Sequence, residues 1–61
     1  MEFVSYINSF VHITLSDGFY YVGKIINADE QGINLIDKTG KKVFISNKSV
    51  ATIREVSFNG R

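Results

Sequence analysis

Few side chains in this 61-residue chain are of a type that does covalent chemistry, and their spacing does not assemble them. There is one histidine, His12, and no cysteine. No serine, cysteine or carboxylate is placed by the sequence to orient His12 as a general base, and a base needs that geometry before its pKa matters. His12 falls at an outward position of an alternating run and reads as a solvated strand residue. A thiolate zinc site is excluded, and a single histidine leaves no metal cluster. No phosphate-cradling glycine loop is present. The residues argue against an enzyme and call for no cofactor or metal.

What remains is the chemistry of binding. Lys38, Lys41 and Lys42 gather around one polar turn, which reads as a solvated hairpin tip with a secondary capacity for phosphates. Tyr20 and Tyr21 can stack on bases where exposed, although strands more often use such rings for packing. Seven basic and six acidic residues give a net charge of +1, too balanced for a protein that coats nucleic acid by charge alone. Nucleic-acid binding would therefore need a local site, or a weak site repeated around an assembly.

The elements that must position these groups begin with residues 2–9. Phe3, Tyr6, Ile7 and Phe10 stand at helical spacing, predicting a short helix of about two turns whose aromatic face lies over one end of the core. Glu2 near its start suits the helix dipole. Phe10 to Ser16 alternates as a first strand, Val11, Ile13 and Leu15 inward, and His12, Thr14 and Ser16 outward. Asp17-Gly18 then reads as a tight primed turn, which needs positive φ. A long second strand runs from Phe19 to about Ala28, with Phe19, Tyr21, Gly23 and Ile25 on one face and Tyr20, Val22, Lys24 and Ile26 on the other. Gly23 inside it marks a bend or a close backbone approach.

Asp29-Glu30-Gln31-Gly32 is a turn in which Gly32 supplies a permissive backbone position. Ile33 to Asp37 follows as a short strand, then the loop Lys38 to Lys41, a fourth strand Lys42 to Ser46, the connection Asn47-Lys48, and a fifth strand from Ser49 to about Val56. Val50 and Ile53 are its core candidates, and Ser57 to Arg61 form a patternless tail. The fold class is mainly β: a short helix and five strands, bent into a small antiparallel barrel, one domain over residues 1–61.

A chain this short buries only about 60% of the surface its unfolded form exposes, so small domains usually need a staple. With disulfides and metal excluded, oligomerisation is the staple expected. No apolar run approaches the roughly 20 residues that span a bilayer, and no secretion signal opens the chain. The expected compartment is the cytoplasm, with no membrane partner.

The run Val11-x-Ile13-x-Leu15-x-Asp17-Gly18-x-x-Tyr21-x-Gly23-x-Ile25-x-x-x-Asp29 resembles the first signature motif of the Sm/LSm/Hfq family. Phe44 to Ile53 resembles its shorter second motif. With the intervening strand the resemblance covers residues 10–56, and the family's order of elements, a helix and then five bent strands, is the order read above. It implies an SH3-like barrel that closes hexameric or heptameric homo-oligomeric rings by pairing the fourth strand of one subunit with the fifth of the next. It also implies binding of single-stranded RNA, U- or A-rich, near the pore.

Carried over, the resemblance places the RNA site at Asp29, Gln31, Asn34, Asn47 and Lys48. Asp29 matches the family's loop aspartate. Gln31 stands at the base-stacking position, where an aromatic is commoner. The base-reading asparagine would lie at Ile33, so Asn34 matches only with one extra turn residue. Ser46-Asn47 replaces the Arg-Gly of the Sm branch, with Lys48 next, and the Lys-His of the Hfq branch is absent. The chain thus resembles a divergent member, expected to form an RNA-binding ring; the alternative is a ring-forming scaffold that acts through protein contacts after losing the pocket.

Overall fold

A computed structural model describes residues 3–56. Five strands, β1 (Phe10–Leu15), β2 (Tyr20–Ala28), β3 (Gly32–Asp37), β4 (Lys42–Ser46) and β5 (Val50–Glu55), form one antiparallel sheet. Their order is β4-β3-β2-β1-β5, so β4 and β5 are its two terminal strands and the sheet is open between them. Each strand lies within a residue of its predicted bounds. The predicted tail, 57–61, and the predicted helix start at Glu2 lie outside the described residues.

The core gathers on one face. Val11, Ile13, Ile25, Ile33 and Leu35 are fully buried, with Phe3, Ala28 and Ile45 nearly so. Burying each of the larger aliphatic side chains contributes about 1.5–3 kcal/mol. Leu15, Tyr21, Val43, Val50 and Ile53 pack against this cluster while half-buried. The opposite face of β2 has no comparable cover: Tyr20 is 59% exposed and Ile26 40%.

Residues 3–9 do not form the predicted helix. Val4–Tyr6 make a single 3-10 turn, Ile7 is already extended, and Asn8 takes a positive φ of 74°. The physical reason lies in β2. The Asn8 N–H donates to the Ile25 carbonyl at 2.7 Å, and the Ile25 N–H donates to the Ser9 carbonyl at 3.1 Å. Pairing with a strand thus replaces helical bonds that a two-turn helix holds weakly. The aromatic cover survives the change, since Phe3 enters the core and Tyr6 and Ile7 pack beside it.

Two bulges set which residues face the core. Ile25 pairs with Leu35 and Asn27 with Asn34, leaving Ile26 unopposed. On the other side of the sheet Thr14 pairs with Thr52 and Leu15 with Val50, leaving Ala51 unopposed. An extra residue reverses strand parity and increases the local twist. Ile25 and Ala28 therefore both face inward, as do Val50 and Ile53, although each pair is three residues apart.

The first hairpin also differs from expectation. The loop between β1 and β2 is not a two-residue primed turn. Gly18 N–H donates to the Leu15 carbonyl, Leu15 N–H donates to the Phe19 carbonyl, and of Asp17 and Gly18 only the glycine has positive φ, at 97°. This is a three-residue connection ending in a left-handed glycine. The β3–β4 loop repeats the design around Asp37, Gly40 and Lys41, with Gly40 at φ 92°. No helix among the described residues is long and apolar enough to cross a membrane.

Candidate nucleic-acid interface

The loop between β2 and β3 is built by Asp29. Its Oδ1 accepts the N–H groups of Gln31 (2.8 Å) and Gly32 (3.2 Å), and its own N–H donates to the Gly32 carbonyl (3.0 Å). Aspartate suits this position because its short side chain reaches amides two and three residues on. Gly32 is required here for space, not for positive φ: a Cβ would come within 3.0 Å of the Ile45 carbonyl and the Phe44 ring.

The connection from β4 to β5 is a 3-10 turn, Asn47–Ser49, capped by Ser46, whose Oγ accepts the Lys48 N–H at 3.3 Å. The two loops meet. The Asn47 N–H donates to the Gln31 carbonyl at 3.1 Å, and its side-chain Nδ2 donates to the carbonyls of Glu30 and, more distantly, Asp29 at 3.5 Å. The register agrees, since Gly32 pairs with Ser46 immediately before these contacts. Four of the five predicted site residues, Asp29, Gln31, Asn47 and Lys48, therefore stand in one loop cluster.

Asn34 does not join them. It lies between the buried Ile33 and Leu35 and so faces away from the core, between Asn27 on β2 and Phe44 on β4. Gln31 and Lys48 are exposed in the cluster, whereas Asn47 is half-buried and its Oδ1 is buried. The lysines near the β3–β4 hairpin surround a turn organised by Asp37, whose Oδ1 accepts from Thr39 N–H, Thr39 Oγ1 and Lys41 N–H. The Thr39 hydroxyl first, and then the Lys41 N–H, hold this carboxyl below its usual range against the opposing effect of desolvation.

His12 lies on the outer face, opposite Val22 and Arg54, and its ring stacks on Tyr20 with centroids 5.0 Å apart and planes 16° apart. The pair is diagonal across the β1–β2 register, a contact that aromatic side chains reach. Tyr21, by contrast, packs against the core. Sequence reasoning assigned His12 no partner; the strand parity it used puts both rings on one face. Among the described residues, no group of three or more His, Asp or Glu side chains is placed to hold a metal ion.

No family model, curated protein or solved structure matches this chain.

Proposed function

We propose that this chain is an Sm-like RNA-binding subunit with a bent-barrel fold. It assembles into a homo-oligomeric ring through β4 and β5 and binds single-stranded RNA at the loop cluster near the pore. The observation that carries the reading is the strand order: the two terminal strands are β4 and β5, the pair that the family resemblance assigns to subunit contacts. Unpaired edges invite strand pairing with another chain, and a chain of this size benefits from the added burial. The convergence of the β2–β3 and β4–β5 loops supports the second half, since these are the loops from which the resemblance draws RNA contacts.

Light scattering on a sizing column tests assembly, the expected result being a species several times the 6.9 kDa chain mass. Labelled oligo-U and oligo-A titrated over a salt series test binding. A stable monomer overturns the ring, and no binding at low salt by an intact ring overturns the RNA reading.

One observation favours a second reading, a ring-forming scaffold without an RNA pocket. Asp29 and Asn47 direct hydrogen bonds into the loops themselves, and Asn34 faces elsewhere, which leaves few free groups for a ligand. Weak oligonucleotide binding unchanged by Lys48→Ala would select the scaffold.

A further inference from the structure

We infer that Asn47 is a positioning residue: its side-chain amide cross-links the β2–β3 loop to the β4–β5 turn, and ligand contact falls to Gln31 and Lys48. The part concerning ligand rests on the RNA reading above; the cross-link does not.

The geometry distinguishes a builder from a contact. Asn47 Nδ2 reaches carbonyls of Glu30 and Asp29, 17 and 18 residues earlier in the chain. These are loop carbonyls with no strand partner of their own, and the amide satisfies them while its backbone N–H holds the adjacent Gln31 carbonyl. The side chain thus extends a three-carbonyl run of contacts, at residues 29, 30 and 31, from one residue of the opposite loop. Its Oδ1 is buried, so the acceptor half of the amide is not displayed to a ligand.

The same accounting removes the neighbouring amides from ligand binding. Gln31 and Gly32 N–H groups are held by Asp29 Oδ1, Asn47 N–H by the Gln31 carbonyl, and Lys48 N–H by Ser46 Oγ. Four amides engaged in this way are closed to an anion and form no nest of backbone N–H groups. Recognition must then come from side chains: of the exposed ones, Asp29 and Glu30 are carboxylates that repel phosphate, which leaves Gln31, able to donate to and accept from a base edge, and Lys48, a cation for phosphate. Holding both loops in place before binding lowers the ordering cost of association.

The experiment compares Asn47→Ala and Asn47→Asp with wild type, folding being checked by circular dichroism. In the free protein, amide hydrogen exchange at Gln31 and Gly32 is expected to speed up by about fivefold or more in both variants, the usual consequence of losing one net hydrogen bond. Exchange at Ile13 and Ile33 should stay as in wild type. Asn47→Asp should show the larger effect, because it sets a carboxylate against carbonyl oxygens. With oligo-U and oligo-A as probes, Asn47→Ala should weaken binding without changing its salt dependence, whereas Lys48→Ala should lower the slope by about 0.7.

Unchanged loop exchange in Asn47→Ala overturns the cross-link, whether or not affinity falls. A salt slope unchanged by Lys48→Ala overturns the contact assignment. Should wild-type protein bind neither oligonucleotide, the RNA reading fails and the contact assignment fails with it, while the exchange data still decide the cross-link.

Discussion

Gly23 of β2 lies so close to Ile36 of β3 that a Cβ on the glycine would fall within 3.0 Å of the Ile36 carbonyl oxygen. Backbone atoms cannot swing aside as a side chain can, and the Leu35 side chain and Asp37 Cα close the same space. Gly23→Ala should therefore destabilise the fold by about 1–3 kcal/mol, the range for forcing added volume into packed structure. Urea unfolding monitored by circular dichroism measures it, and a neutral substitution would contradict the packing described.

Gly18 and Gly40 should respond differently, since nothing lies within 4 Å of a Cβ at either. Their cost is conformational, from φ values of 97° and 92°. Alanine at each should lower stability by about 1–2 kcal/mol, with asparagine less damaging because it visits the left-handed region more readily. The same unfolding series, comparing Gly40→Ala with Gly40→Asn, checks this ordering.

Asp37 gives the fold a pH dependence whose sign can be worked out. Hydrogen bonds from Thr39 and Lys41 lower its folded-state pKa, so the ionised carboxylate is favoured by folding. That stability is present above the unfolded value of about 4 and is lost as pH falls through the lower folded value. The melting temperature of Asp37→Asn should lie below that of wild type at neutral pH. The gap should narrow as the pH drops below about 4. A gap that stays constant down to low pH would assign the effect to the turn geometry instead of the charge.

Asn34 and Lys48 should separate in RNA binding. Lys48 stands in the loop cluster, and Asn34 lies on the outer face between Asn27 and Phe44. In oligo-U titrations at low salt, Lys48→Ala should weaken binding severalfold, whereas Asn34→Ala should leave it within error. The reverse result would move the binding surface from the loops to the outer face.

Strand positions were legible because alternation is a strong signal where one face is buried: Val11 and Ile13 point inward, where the pattern put them. The N-terminal segment was misread because Phe3, Tyr6 and Ile7 fit a helical face and also fit a single turn followed by strand pairing. The choice between them depends on the Ile25 backbone, which is remote in sequence. The loop cluster was legible in its members, but the sequence held no sign that Asn47 would hydrogen-bond to Glu30. For Asn34, the one-residue offset noted in the sequence corresponds to a real difference in place, on a strand face and away from the loops.

Ile26 and Ala51 are also the two strand positions where the chain could lose a residue without turning itself inside out. Removing either would leave Ile25, Asn27 and Ala28, or Val50, Thr52 and Ile53, in a regular in–out–in sequence against unchanged partners. A deletion further along the strand would instead move every residue between it and the bulge to the wrong face. The inward pattern does not need these two residues; the curvature does, because bulges bend and twist the strands that carry them. A variant lacking both should keep its core and flatten its sheet, changing the angle between β4 and β5 and, in the proposed ring, the number of copies that close it.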